Sequence, residues 1–273
     1  MNREALIFLH IPKTAGTTLN RIIEWQYNPV SIYTVDPHRI RATVARFKKL
    51  PEQRRRRFRV VRGHLLYGIH EFLPQGATYI TMLRDPVARV LSSYAFILRR
   101  PLHPLHRKLK AGRLGVEDLI RMTPHRQNLQ CRFISGIGVG PDCDERVLEL
   151  AKENLTRSFP IVGLCERFQE SLCLMIEAFG WNVPFYTNWK VTKRRPSTEP
   201  KGIDMIREFN RFDLELYEFA RKSFEENMRR NADVIRDALA TLNSRQNPRG
   251  LKGCWYSALG TSRFLLTKAI SAL

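Results

Sequence analysis

The sequence lacks the features that mark disulfide-rich, metal-binding or membrane-spanning proteins. Its five cysteines are odd in number and show no CxxC or Cys/His spacing, so we expect reduced thiols. No apolar run approaches the roughly 20 residues that a membrane-spanning helix needs. The first apolar stretch, residues 5–11, is too short for a signal peptide and leads directly into a glycine-containing loop. We therefore expect a cytoplasmic protein.

Acidic residues are also scarce. The 273 residues include 26 Asp and Glu against 46 Lys and Arg, a formal net charge of +20. Such a charge attracts nucleic acid, an acidic membrane, a polyanionic glycan or a phosphate-rich nucleotide. The basic clusters at 54–57, 99–110 and 190–195 contain no recognisable nucleic-acid-binding motif. We expect no specific nucleic-acid partner, although a non-enzymatic nucleic-acid-binding protein is one alternative.

Strand and helix patterns alternate along the chain, which predicts an α/β fold with a central parallel sheet flanked by helices. We assign one domain to residues 1–245 and an extension of unknown role to 246–273. The extension could pack on the domain or, through 251–273, contact a membrane surface. The predicted strands are 5–11, 59–62, 77–83 and 160–164, and the predicted helices are 86–98, 145–156, 166–180 and 204–242.

The first strand ends in HIPKTAGTTL, residues 10–19. Small residues and hydroxyls between a buried strand and a helix can form a phosphate-binding loop, because backbone N–H groups and the helix N-terminus converge there. Lys13 adds a mobile positive charge. A simple tight turn with a solvated lysine is the alternative interpretation.

A second candidate anion site is LRDPVARVLSSY, residues 83–94. Asp85 and the following proline are typical of a helix start. Arg84 lies at the predicted strand end, and Arg89 and Ser92 share one helix face with Asp85, so a guanidinium and a hydroxyl could bind phosphate. The alternative is a surface ion pair. Two such sites on one sheet suggest a nucleotide with phosphates on both sides of its ribose.

A P-loop nucleotide kinase is the nearest enzymatic alternative. Its phosphate-binding motif places a lysine after the glycines. Here the lysine comes before the only glycine of the loop, and no acidic cluster for Mg²⁺ is evident. We therefore expect no metal.

These two motifs resemble those of sulfotransferases that use 3'-phosphoadenosine 5'-phosphosulfate (PAPS). The resemblance is to the carbohydrate branch, which includes heparan sulfate 2-O-sulfotransferase and bacterial relatives, and it extends over about residues 5–222. It implies a P-loop-like three-layer fold and a carbohydrate acceptor, and the basic clusters favour an acidic acceptor over a neutral small molecule. Four further segments support it: RGHL at 62–65, NLQCRFISG at 128–136, IVGLCERFQESL at 161–172 and FNRFDLELYEFA at 209–220.

The resemblance also implies roles for particular residues. Lys13 would stabilise the leaving group by binding the oxygen that bridges the sulfuryl group and the 5'-phosphate. Arg84 and Ser92 would bind the 3'-phosphate, and Lys193 or Arg194 would close over the nucleotide. The loop residues Thr14, Ala15, Gly16, Thr17 and Thr18 would hold the 5'-phosphosulfate.

Transfer to an alcohol also needs a base, for which histidine is the usual choice. His64 is our candidate, because it follows Gly63 at a predicted strand end and matches the Gly-His position of the family's base. His10 is the rival, although it could instead position the loop or contact the acceptor. Asn128 and Arg132 resemble a family element near the acceptor, with a helix-capping role as the alternative.

Overall fold

The computed structural model describes residues 4–138, 142–184 and 200–246. Its strands are all parallel and form one five-stranded sheet in the order β2-β3-β1-β4-β5. Every residue of β1 is buried, as its apolar run predicts for a central strand covered on both faces. The strands are β1 (Ala5–Leu9), β2 (Ile32–Thr34), β3 (Val60–Gly63), β4 (Ala77–Leu83) and β5 (Ile161–Leu164).

The register of the three middle strands brings their carboxyl ends together. Leu9 of β1 lies beside Gly63 of β3 and Thr81 of β4. The segments that follow these strands therefore meet at one edge of the sheet, which is where α/β proteins gather their ligand-binding groups.

The helices form the remaining layers around the sheet, and the predicted α/β fold class is confirmed. Helix α4 begins with an Asp85 side chain that accepts a hydrogen bond from the backbone N–H of Ala88, followed by Pro86. The described helices are α1 (Gly16–Gln26), α2 (Ile40–Lys49), α3 (Glu52–Arg55), α4 (Pro86–Leu98), α5 (His106–Lys108), α6 (Val116–Met122), α7 (Leu129–Ser135), α8 (Glu145–Ser158), α9 (Phe168–Phe179), α10 (Pro200–Phe209), α11 (Arg211–Arg230) and α12 (Ala232–Gln246).

The predicted strands and helices all exist. The short edge strand β2 was not predicted, and neither were helices α2, α3, α5, α6 and α7. The single helix predicted over 204–242 is three helices, because the chain breaks at Asn210 and Asn231.

The basic, proline-broken sequence of residues 99–115 predicts a surface excursion in which His103 and His106 are solvated or contact the substrate. This was wrong for His106, which is buried and makes a 2.9 Å hydrogen bond through Nδ1 to the backbone oxygen of Ile97. Leu109, buried with Ile97 and Leu119, also anchors the segment to the protein.

Within the part of the chain that the structure describes, no helix is long and apolar enough to cross a bilayer. Four cysteines in that part are free thiols, with Cys131 and Cys173 buried and Cys143 and Cys165 partly exposed. Lys193, Arg194 and the segment 251–273 lie outside the described residues.

Candidate functional site

The loop between β1 and α1 has a backbone that few residues adopt. Lys13 and Ala15 both have left-handed conformations, with φ of 75° and 60°. Such conformations cost about 1–3 kcal/mol each outside glycine and persist only when their surroundings fix them. Thr14, buried between them, supplies one such constraint by donating its hydroxyl to the backbone oxygen of Ile11 at 2.9 Å.

Helix α1 begins directly after this loop and has no side-chain cap. The first N–H groups of any α-helix have no intrahelical acceptor. Ala15, which precedes α1, has no polar side chain to accept them. An anion at this end of the helix would receive those N–H groups together with the favourable helix dipole.

Arg84 joins the two predicted anion-binding segments. Its Nη1 donates to the backbone oxygen of Lys13 at 3.0 Å, and its side chain is 15% exposed. The Lys13 ammonium lies 4.5 Å above the ring centre of Phe96 on α4. Ser92 precedes Phe96 by one helical turn and so shares its face. The structure therefore brings Lys13, Arg84 and Ser92 to one region, as the sequence predicted.

His64 follows β3 at the same edge. Its Nδ1 lies 2.6 Å from the backbone oxygen of His10. Because a carbonyl oxygen only accepts, Nδ1 carries the proton, and Nε2 of the neutral ring carries the lone pair. Burial lowers the pKa of His64, and the hydrogen bond to His10 opposes part of that change. The ring is thus neutral near pH 7 and can accept a proton.

The His10 side chain is packed from several sides. Its ring lies 4.3 Å from that of His64 and stacks on Phe8 at 5.4 Å. Its Nδ1 is 3.3 Å from Nδ2 of Asn20. A Cβ added to Gly16 would lie 2.0 Å from Cδ2 and Nε2 of this ring, so only glycine fits beneath it. These contacts fit the loop-positioning role, and His64 stays the predicted base.

A buried ion pair supports this side of the site. Arg62 donates through Nη2 to Oε1 of Glu24 at 2.6 Å, and both side chains are 1% exposed. Nη1 of Arg62 donates to the backbone oxygen of Asn20 at 2.8 Å. The same arginine therefore fixes the backbone of the residue whose side chain reaches His10.

Gln130 is a positioning residue that the sequence did not identify. Its fully buried amide accepts from the backbone N–H of Arg84 and donates to the backbone oxygen of Arg84, both at 2.9 Å. This reciprocal pair holds the end of β4 as a neighbouring strand would. Nothing local in the sequence distinguishes this glutamine from an ordinary helical one, because its partner is far away along the chain.

Glu166 is a second residue that the sequence did not identify. Its Oε1 accepts from the backbone N–H of Asp85 at 3.3 Å and lies 3.9 Å from Nε of Arg84. The hydroxyl of Tyr217 donates to Oε2 at 2.9 Å. A half-exposed carboxylate therefore lies beside the predicted 3'-phosphate site.

Asn128 and Arg132 make contacts with the protein scaffold. Oδ1 of Asn128 accepts from the backbone N–H groups of Phe212 and Asp213, both at 3.1 Å, and so caps α11. Arg132 is buried and donates through Nη1 to the backbone oxygen of Gly138 at 2.9 Å. Of the two interpretations of Asn128, the geometry matches helix capping.

The structure corrects the interpretation of Arg89. The sequence placed it on a polar face with Asp85 and Ser92, as a phosphate ligand or a partner in a surface ion pair. Arg89 is instead buried, with Nη2 3.6 Å from Oδ2 of Asp213 and 3.3 Å from Oδ1 of Asn210. The reason is that α11 packs against α4 and supplies a carboxylate to that face.

No group of three or more His, Cys, Asp or Glu side chains suited to a metal ion occurs among residues 4–138, 142–184 and 200–246.

Comparison with known proteins finds similarity to several sulfotransferases. Mouse uronyl 2-sulfotransferase is 27% identical over 180 residues, 54% of this chain and 42% of that protein. Human galactosylceramide sulfotransferase is 27% identical over 190 residues, 61% of this chain and 43% of its own length. A mouse sulfotransferase crystallised with PAP covers 89% of each chain at 15% identity, with a TM-score of 0.41.

Pig galactose-3-O-sulfotransferase 2 is 24% identical over 212 residues, 72% of this chain and 52% of that protein. The chain thus spans about half the length, or somewhat less, of the curated relatives it matches. The sequence profile of the galactose-3-O-sulfotransferase family matches residues 1–249. The chain therefore belongs to the galactose-3-O-sulfotransferase family.

Proposed function

We propose that this protein transfers a sulfuryl group from PAPS to a hydroxyl of a carbohydrate acceptor, either a glycan or a glycolipid. Family membership supports sulfuryl transfer. The names of the relatives include a uronyl and a galactosylceramide sulfotransferase, which supports a sugar acceptor. The observation that carries the proposal is the convergence of Lys13, Arg84 and His64 at one edge of the sheet.

The residues at this edge fit a nucleotide with two separate anionic groups. Lys13 and the start of α1 provide one set of cationic or N–H donors, and Arg84 with Ser92 provides another. The Arg84–Lys13 hydrogen bond of 3.0 Å shows that the two sets are adjacent. When bound there, PAPS would supply an activated sulfuryl group attached to a phosphate.

Each residue has a role that follows from its chemistry. Nε2 of His64 would accept the proton of the acceptor hydroxyl as that oxygen attacks sulfur. Lys13 and the N–H groups at the start of α1 would stabilise the negative charge that develops on the leaving phosphate oxygen. Arg84 and Ser92 would bind the 3'-phosphate and so distinguish PAPS from ATP. Lys193 or Arg194 would add charge over the nucleotide.

The compartment and source of the protein are further proposals. We predict a cytoplasmic location, and the four free thiols among the described residues fit a reducing compartment. The resemblance to bacterial relatives suggests a bacterial source, but the relatives described above come from animals and do not support it.

Binding of PAP, the desulfated product, tests the proposal without requiring an acceptor. We expect calorimetry to show binding by the wild type and weak binding of ATP. Lys13→Ala and Arg84→Ala should each weaken PAP binding about 10- to 100-fold, since a hydrogen bond to a charged group contributes roughly 1.5–3 kcal/mol. Arg229→Ala, which removes an exposed arginine on α11, is the matched control and should bind like the wild type.

The same titration can contradict the proposal. If the wild type ignores PAP but binds ATP with Mg²⁺, the nucleotide kinase alternative replaces it. If Arg84→Ala and Arg229→Ala weaken PAP binding equally, the general positive charge of the protein and not a defined phosphate site attracts the nucleotide.

A further inference from the structure

Nearly half of the excess positive charge lies in one short segment. Residues 39–59 contain ten Lys and Arg and a single acidic residue, Glu52, so this segment carries +9 of the net +20. Glu52 is already engaged by Arg56, at 2.6 Å. The exposed cations form what we name the basic face: Arg39, Arg41, Arg46, Lys48, Lys49, Arg54, Arg56 and Arg57.

The fold of α2 gathers these cations on one side. Ile40, Val44 and Phe47 recur at helical spacing and pack on the core. The opposite side is exposed, with Arg39 and Arg46 two turns apart and Arg41 and Lys48 likewise. Exposed alanines at 42 and 45 lie between them, and their small side chains do not cover the neighbouring cations.

Helix α3 extends the same face. Burial raises the pKa of Tyr33, and the positive charges of Arg46 on α2 and Arg54 on α3 both oppose that rise. Arg55 fastens the two helices together, because its Nη1 donates to the backbone oxygens of Lys48 and Leu50 at 2.8 and 3.0 Å. The cations of both helices thus share one continuous surface.

The chain that lies beside the residue before the proposed base leads directly into this face. The backbone N–H of Val35 donates to the backbone oxygen of Arg62 at 2.8 Å. A Cβ added to Gly63, the neighbour of His64, would lie 2.8 Å from that of Val35. Arg39 follows four residues later, and the ten residues of α2 then extend about 15 Å from this edge of the sheet.

The composition of the face narrows the class of partner. Among the described residues the exposed large hydrophobics are Val30, Leu102, Met122 and Val234, none of them on the basic face. Insertion into a membrane surface uses exposed apolar side chains, and single-stranded nucleic acid stacks on exposed aromatic rings. A hydrated acidic polymer needs only spaced cations.

We propose that the basic face binds acidic sugar residues that flank the acceptor sugar. The substrate is then a polyanionic glycan whose reactive sugar lies at His64 while its neighbours extend along α2. This inference rests on the proposed sulfuryl transfer, and it locates the specificity for acidic glycans outside the nucleotide site.

Heparin oligosaccharides, long and short, are suitable probes. We expect calorimetry at several NaCl concentrations to show that R39S/R41S/K49S binds long heparin at least about 10-fold more weakly than the wild type. Its slope of log K against log salt should fall by roughly 2–3, since each lost contact removes about 0.9. The charge-matched control K222S/R229S/R230S lies on α11, beside the opposite sheet edge, and should bind like the wild type.

Three outcomes would overturn the inference. The first is equal heparin affinity in the two triple variants. The second is equal wild-type affinity for long and short oligosaccharides, because the face extends beyond one sugar. The third is tighter binding of duplex DNA or phosphatidylserine vesicles than of heparin, lost in R39S/R41S/K49S.

Binding of PAP by the same proteins separates this inference from the proposed function. If the wild type and R39S/R41S/K49S bind PAP equally but the heparin results fail, only the role of the basic face is wrong. If the wild type does not bind PAP, the sulfotransferase proposal itself fails.

Discussion

The hydrogen bond from His64 to the backbone oxygen of His10 determines which ring nitrogen can act as a base. Replacing His64 with alanine removes that base but leaves Lys13 and Arg84 in place. We expect sulfuryl transfer to fall by about 10²–10⁴ while PAP affinity stays unchanged. Single-turnover rates together with PAP titration check this. A parallel loss of PAP affinity would show that His64 supports the nucleotide site instead.

The pH dependence of the rate should identify the same residue. Burial lowers the pKa of His64 below the ordinary value near 6.5, so its neutral form is already dominant at pH 7. The rate should therefore be flat around neutrality and fall only as the pH drops through the lowered pKa. If kcat/KM instead falls on the acidic side with a midpoint above pH 6.5, His64 is not the base.

Gly16 allows the His10 ring to lie over the start of α1. Alanine in an unhindered helix is better than glycine by up to about 1 kcal/mol. At Gly16 the new methyl would collide with the ring, so we expect Gly16→Ala to lower the free energy of unfolding by about 1–3 kcal/mol. Denaturant unfolding of the single variants and of H10A/G16A measures this.

The double variant provides the control. With the ring removed, the added methyl has space, so H10A/G16A should lose less stability than the two single variants together. Strictly additive losses would show that the cost at position 16 does not come from His10.

At the scale of elements, Asn128 connects α7 to α11. Its side chain caps α11, and its own φ of 47° is left-handed, which asparagine tolerates better than alanine. We expect Asn128→Ala to lose about 2–3 kcal/mol of stability and Asn128→Asp, which keeps the accepting oxygen, to lose less. Thermal unfolding compares them. If both variants keep full stability but lose activity, the acceptor role predicted from the sequence is the better interpretation.

The buried pair of Arg89 and Asp213 connects α4 to α11. Burial raises the pKa of Asp213 and the charge of Arg89 opposes that rise. Asp213→Ala leaves a buried charge without its partner and should cost about 3–5 kcal/mol. R89M/D213L removes both charges and should cost less, as measured by urea unfolding. A greater loss in the double variant would mean that shape, not charge, decides this contact.

How much the sequence predicts depends on the range of the interactions. Both ends of helix α4 were predicted correctly, because Asp85, Pro86 and the apolar spacing are all local signals. Strand β2 has only three residues, too few to show alternation. The helical spacing of Ile40, Val44 and Phe47 could have predicted α2, but the many basic residues between them obscured this pattern.

The site was predictable to the same degree. The sequence indicated Lys13, Arg84 and His64, because each follows a strand of one parallel sheet. It did not indicate Gln130 or the burial of Arg89, because those depend on partners far away along the chain. A polar residue on a helix face reads as exposed until the helix that covers it is known.

At the scale of the whole molecule, the net charge of +20 opposes compaction. Salt shortens the range of this repulsion from about 30 Å at 0.01 M to about 8 Å at 0.15 M. Salt also weakens surface ion pairs, but this costs little stability, since each pair contributes about 0–1 kcal/mol. We expect the thermal midpoint to rise with NaCl over this range, by about 2–4 °C for each kcal/mol gained. A midpoint that falls in calorimetric scans would mean that the ion pairs outweigh the repulsion.

The parallel order of the strands also has a consequence for how the chain folds. Ala5 pairs with Ala77, and Ile80 pairs with Ile161, so every strand contact closes a long stretch of chain. Folds dominated by such distant contacts form slowly, because loop-closure entropy is lost before the contacts repay it. The loop after β1, with its left-handed residues, is held from both neighbouring strands, because Gly63 of β3 accepts from the backbone N–H of His10 and Arg84 after β4 donates to the backbone oxygen of Lys13. The proposed nucleotide site would therefore be assembled late, and we expect a bound nucleotide to slow the unfolding of the finished protein without speeding its folding.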